Sequence, residues 1–145
     1  MKVIALYATR NRGKTTTLNK LIDLLSLVAS SYEISRTGET CAYFEVNGKG
    51  VTVCTPGDNG EAIKANIDFL KKHESDVFVT ASHKWGETVD EIKAFTDKKK
   101  AGLVKVEKVN DESKNAIVAA GLLGLIRKEV YPEFDEAVQP TEGNE

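Results

Sequence analysis

The stretch Ala8-Thr9-Arg10-Asn11-Arg12-Gly13-Lys14-Thr15 holds the residue types that bind phosphate. A small residue is followed by four variable ones and then by Gly-Lys-Thr. An apolar run, Lys2 to Tyr7, lies directly before it and an amphipathic one directly after it. In such a turn the backbone N–H groups of Thr9, Arg10, Asn11, Arg12, Gly13, Lys14, Thr15 and Thr16 can curl around an anion. The following helix adds the partial positive charge of its N-terminus. Gly13 lets the chain approach the ligand closely. Lys14 supplies a cation, and Arg10 and Arg12 are candidates for compensating further phosphate charge. Residues 1–20 contain Lys2, Arg10, Arg12, Lys14 and Lys20 and no acid. That local positive field suits an anionic ligand.

The elements that must position this loop follow from hydrophobic periodicity. Lys2 to Tyr7 reads as a buried strand. Leu18, Leu21, Ile22, Leu25 and Val28 recur three and four apart, so Thr15 to Leu27 reads as a helix. Ser30 to Gly38 is polar and reads as a loop. Cys41 to Val46 and Val51 to Thr55 flank Asn47-Gly48-Lys49-Gly50, which predicts an antiparallel hairpin. A loop at Pro56-Gly57-Asp58-Asn59-Gly60 precedes a helix over Glu61 to Lys72. Val77 to Ala81 is a second apolar strand. Ser82 to Glu87 is a loop, and Thr88 with Glu91 predicts a capping box opening a helix to Lys99. Lys98-Lys99-Lys100 suits the negative end of that helix. Leu103 to Val109 reads as a strand and Asp111 to Val130 as the last helix. This alternation predicts an α/β domain over residues 1–131. Its mostly parallel sheet has about five strands, helices on both faces and one antiparallel edge hairpin. Residues 132–145 read as an acidic disordered tail. The loops 8–15, 55–60 and 82–87 should gather at the carboxyl ends of the strands, where ligands bind in such sheets.

The Ala8-x4-Gly13-Lys14-Thr15 pattern resembles the Walker A motif of P-loop NTPases, with Ala8 in place of the first glycine. The resemblance implies the three-layer P-loop fold and an ATP or GTP ligand. Lys14 would reach the β- and γ-phosphates, and Thr15 Oγ1 would ligate Mg²⁺. A carboxylate holding Mg²⁺ through water should follow the strand ending near Thr55. The text Val51-Thr52-Val53-Cys54-Thr55-Pro56-Gly57-Asp58 looks like the D-T-P-G segment of translational-type GTPases with Cys54 where the Asp belongs. Either Asp58 supplies the carboxylate, as a catalytic and metal residue beside Lys14 and Thr15, or the site lacks one. The alternative for this segment is a plain turn before the helix. The guanine-reading N-K-x-D motif has Glu107-Lys108-Val109-Asn110 as its counterpart, and Asp111 fits only with a one-residue slip. Thr37 or Thr40, beside Arg36, would be the second Mg²⁺ threonine of a GTPase-like layout. The deviant K-G-G-x-G-K-T-T family requires a lysine where Thr9 stands. Kinases of the superfamily bring lid arginines to the phosphoryl group, and the chain has four: Arg10, Arg12, Arg36 and Arg127. The 82–87 loop offers His83, Lys84 and Trp85 instead. Lys84 is a phosphate contact or solvated; Trp85 stacks on a base or covers the core edge.

Three functions follow. The first is Mg²⁺-dependent ATP or GTP hydrolysis. The second is transfer of the γ-phosphoryl group to a small-molecule acceptor over the 56–60 and 82–87 loops. The third is a non-catalytic nucleotide switch read by a protein partner, for which Cys54 is the cue. Composition excludes other classes. With 145 residues the chain is long enough for a core without disulfides or metals. No apolar run reaches the roughly 18 residues of a membrane span, and no cleavable leader pattern opens the chain, so a cytoplasmic protein is expected. Twenty basic and 22 acidic residues give a net charge of -2. This balance gives no strong nucleic-acid signal. Cys41 and Cys54 read as structural, and nothing supports a metal other than Mg²⁺.

Overall fold

The computed structural model describes residues 1–8, 13–37, 39–108 and 111–132, with backbone alone at Arg36, Thr37 and Glu39. Its elements in chain order are β1 (Lys2–Tyr7), α1 (Lys14–Val28), β2 (Ser31–Thr37), β3 (Glu39–Val46), β4 (Lys49–Cys54), α2 (Gly60–Lys71), β5 (Val77–Ser82), α3 (Glu87–Lys99), β6 (Gly102–Glu107), a 3₁₀ turn (Glu112–Lys114) and α4 (Asn115–Val130). They build an α/β domain around one six-stranded sheet of order β2-β3-β4-β5-β1-β6. β4, β5, β1 and β6 run parallel; β3 is antiparallel to both β2 and β4.

β1 and β5 lie inside the sheet and are covered on both faces, which is why their sequences are continuous apolar runs rather than alternating ones. Ile4 and Leu6 point to one face, where α1 and α4 supply Leu18, Leu21, Ile22, Leu25, Leu122 and Ile126. Val3 and Ala5 point to the other, where α2 and α3 supply Ile63, Ile67, Leu70, Ile92 and Phe95. Phe95 meets Phe78 of β5 edge-on, with ring centroids 6.0 Å apart, a favoured aromatic geometry. At the hairpin turn Asn47 and Gly48 both have positive φ, 52° and 73°. This is the type I′ conformation whose twist matches the flanking strands.

Two local expectations are corrected. Residues 30–38, expected as a loop, contain β2, the outer edge strand. Its exposed, polar side chains hide the pattern, but its backbone pairs with β3 from Ser31↔Glu45 to Thr37↔Glu39. Tyr32 packs on Phe44, centroids 5.9 Å apart. Polar edge strands of this kind resist edge-to-edge association. Thr88, expected to cap α3, is already inside the helix, and Gly86 is the cap residue. The Thr88 hydroxyl instead accepts from His83 N at 3.0 Å and lies 3.2 Å from Ser82 Oγ. It therefore fastens the 82–87 loop rather than the helix end. No helix among the described residues is long and apolar enough to cross a membrane.

Candidate functional site

α1 begins at Lys14, directly after Gly13, whose φ of 82° places it in the left-handed region. A side chain at Gly13 would be strained there, and its Cβ would stand 2.5 Å from Lys108 Cε and 2.7 Å from Lys108 Nζ. The glycine is thus favoured by the backbone, and a side chain there would also displace the end of the lysine lying over it. Gly13, the cap residue of α1, makes no side-chain cap bond, and no acid sits in the first turn.

Lys14 is 5% exposed. Its Nζ donates to the Ser82 carbonyl at the end of β5, 2.8 Å away. This bond fixes the direction of the side chain at the loop end of the sheet. Thr15 and Thr16 face outward on the first turn of α1. Thr9, Arg10, Asn11 and Arg12 lie outside the described residues.

The 55–60 and 82–87 loops are joined at the same end of the sheet. His83 Nε2 lies 2.9 Å from the Asp58 carbonyl. Gly57 is pressed onto β5, so a Cβ there would meet Ala81 Cβ at 2.6 Å. Asn59 caps α2, its Oδ1 accepting from Ala62 N at 2.8 Å. Asp58 itself is exposed. β5 stands between β1 and β4, so Asp58 follows a strand about 9–10 Å from β1 across two strand spacings. Were a Mg²⁺ held on Thr15, a carboxylate from that loop would serve it through water rather than as a direct ligand. Among the described residues, no three or more His, Cys, Asp or Glu are grouped to hold a metal. One hydroxyl and one carboxylate match a Mg²⁺ that arrives on phosphates with most of its waters.

Other candidates are placed as follows. Thr40 is buried in β3, with its N–H on Thr55 Oγ1 at 2.9 Å and its carbonyl on Thr55 N at 2.8 Å. Arg36 and Thr37 lie in β2, and their side chains are outside the described set. Asp111 Oδ1 accepts from Ser113 N at 3.0 Å and Ser113 Oγ at 2.7 Å. These bonds make it the cap of the 3₁₀ turn and hold its carboxyl below the usual range. Trp85 is 73% exposed and does not cover the core. Lys84 Nζ lies 5.7 Å from its ring centroid.

Two residues of the site escape motif reading. Lys108, quoted only for its place in an imperfect base-reading motif, is 3% exposed and lies against Gly13. Its backbone N–H donates to the Tyr7 carbonyl at 2.7 Å, extending the β6–β1 pairing toward the loop. Asn115, the first residue of α4, is also 3% exposed. Its Oδ1, 3.5 Å from where a Gly13 Cβ would be, has no hydrogen-bond partner. A buried lysine at a strand end is a signal a sequence carries only weakly. An orphaned amide oxygen is visible only in three dimensions.

No protein-family model matches the chain, and no curated protein or solved structure matches it.

Proposed function

We propose that residues 8–15 form a phosphate-binding loop of the P-loop NTPase type in a three-layer fold of that class. The chain then binds ATP or GTP with Mg²⁺ and hydrolyses it. The observation that carries this reading is the build of the start of α1: Gly13 with positive φ, Lys14 5% exposed with its Nζ on the Ser82 carbonyl, and Lys108 lying over Gly13. A bound polyphosphate would meet the positive end of α1, and no acid sits in the first turn of the helix to compete with it.

In this reading the backbone N–H groups of the loop bind the phosphate oxygens. Lys14, aimed by Ser82, stabilises charge that develops between the β- and γ-phosphates. Lys108 adds a second positive charge from the opposite side of Gly13. Thr15 and, through water, Asp58 hold Mg²⁺, which when bound neutralises charge on the phosphate oxygens.

A cavity of about 430 Å³ favours phosphoryl transfer as a second reading. It lies beneath α3 and shares Ser82 and Tyr7 with the loop end of the sheet, and Lys84, Lys93 and Lys105 line it against one acid, Asp97. Its volume is that of a small-molecule site. Thermal shifts with ATP, GTP, ADP and GDP, each with and without Mg²⁺, test the shared core. Ligand at a hundred times its Kd adds about 2.7 kcal/mol, or roughly 5–10 °C in Tm for a domain of this size. No shift with any of the four refutes the nucleotide reading. Where a shift is found, turnover with nucleotide alone supports hydrolysis, and turnover only with an added acceptor supports transfer.

A further inference from the structure

The hairpin register sets Cys41 of β3 directly opposite Cys54 of β4. The two-residue turn closes on Val46↔Lys49, a hydrogen-bonded pair, and pair types alternate outward from it. Thr40 and Thr55 form a hydrogen-bonded pair again, with Thr55 N on Thr40 O at 2.8 Å. Cys41↔Cys54 is therefore a non-hydrogen-bonded pair, the class in which cross-strand side chains approach most closely. Its Cα spacing is about 4.5 Å. A disulfide spans Cα separations of roughly 4.4–6.8 Å, so the spacing of this pair class falls within reach of the bond.

Both thiols pack on the α2 face of the sheet. Cys54 is fully buried, and burial together with its contact to Cys41 pushes its thiol pKa up. Cys41 is half-buried, and its Sγ donates to Asn66 Oδ1 at 3.6 Å. The Asn66 amide in turn donates to the Pro56 carbonyl at 2.8 Å and to Thr80 Oγ1 at 3.1 Å. Asn66 thereby links Cys41 to Pro56, the first residue of the loop that carries Asp58.

We propose that Cys41 and Cys54 form an intrachain thiol-oxidation site, converted to a disulfide by low-molecular-weight disulfides of the glutathione class. The Cys41 thiolate attacks one sulfur of the oxidant. The oxidant's S–S bond breaks, and one thiolate leaves and takes up a proton. Cys54 then attacks Cys41 Sγ and expels the second small thiolate, which takes up the Cys54 proton and leaves as a thiol. Two protein thiols become one disulfide, and the two electrons released reduce the oxidant to two thiols.

The test treats the reduced wild-type chain with oxidised glutathione under native, mildly alkaline conditions. The expected product is a monomer whose intact mass falls by two hydrogens, with both thiols lost to titration. A peptide cross-linked between Cys41 and Cys54 should be recovered, and dithiothreitol should reverse the reaction. Cys54→Ala should stop at one glutathione on Cys41. Cys41→Ala should react far more slowly, because Cys54 is fully buried. A persistent glutathione adduct on the wild type overturns the proposal. So does a cross-linked dimer, or thiols that survive oxidant sufficient to oxidise the guanidinium-unfolded chain. The wild-type result decides alone if a variant fails to fold.

Discussion

Replacing Lys14 with methionine removes the ammonium and keeps an unbranched stem in the same buried position. Two opposed effects set the change in folding stability. The Nζ–Ser82 carbonyl bond, 2.8 Å long, is lost, at about 1.5–3 kcal/mol for a hydrogen bond to a charged group. The desolvation cost of a 95% buried ammonium, several kcal/mol, disappears with it. The expected net change is no more than about 2 kcal/mol, or roughly 4–8 °C in Tm. Nucleotide binding has no such cancellation. A desolvated contact between ammonium and phosphate is worth about 2–5 kcal/mol on truncation. At about 1.4 kcal/mol per decade, affinity should fall by roughly 30-fold to several thousand-fold. Calorimetric titration of ATP and GTP with Mg²⁺ into wild type and Lys14→Met measures this. Wild-type affinity, within about threefold, in a variant that still melts cooperatively would refute the reasoning and place any phosphate elsewhere.

Gly13→Ala should destabilise the fold by about 1–2 kcal/mol from left-handed strain; an unchanged denaturation midpoint would show that residue 13 does not hold the left-handed conformation. Asp58→Ala should leave stability within about 0.5 kcal/mol, since the residue is exposed, while weakening Mg²⁺-dependent turnover; unchanged turnover removes Asp58 from the site. Ser113 donates twice to Asp111 and holds its carboxyl below the usual range. The stabilisation this gives is therefore present above the unfolded-state pKa and is lost as pH falls through the lower folded value. Ser113→Ala should raise the Asp111 titration midpoint toward an ordinary carboxylate, read by NMR; an unmoved midpoint would assign the shift to another group.

The parts of the fold legible in the sequence are those where one physical signal dominates. β1 and β5 are buried on both faces and read as unbroken apolar runs. α1 and α2 show their core stripes at Leu18, Leu21, Ile22, Leu25 and at Ile63, Ile67, Leu70. The Asn47-Gly48 turn needs two residues at positive φ, and its sequence says so. β2 was hidden because a polar edge strand is held by backbone pairing, which side-chain periodicity does not report. Thr88 and Glu91 matched a capping pattern, yet the local rule lost to the tertiary demand of the 82–87 loop for a hydroxyl. Of the site, Gly13 and Lys14 were legible as local spacing. Lys108 and Asn115 reach Gly13 only because β6 lies beside β1 and α4 follows it, a long-range pairing that no short window contains. The Cys41↔Cys54 pairing followed the hairpin prediction in outline, but its parity depended on the exact turn.

The position of β5 also orders the expected effects of changing the site. Because β5 separates β1 from β4, the carbonyl that aims Lys14 comes from Ser82 and not from the Asp58 loop. Lys14 bonds to the Ser82 carbonyl, and the 55–60 and 82–87 loops are linked by the contact of His83 with the Asp58 carbonyl, which a side-chain change at Asp58 leaves in place. Groups that do not touch act additively within about 0.5 kcal/mol. Lys14→Met should therefore act mainly on binding, with or without Mg²⁺. Asp58→Ala should act only on the Mg²⁺-dependent part of the rate. A double variant should show the sum of the two losses in kcal/mol, measured as binding and turnover across a Mg²⁺ series. A coupling larger than about 1 kcal/mol would mean that Asp58 and Lys14 meet directly on the ligand, which requires the 55–60 loop to close over β5 when nucleotide binds.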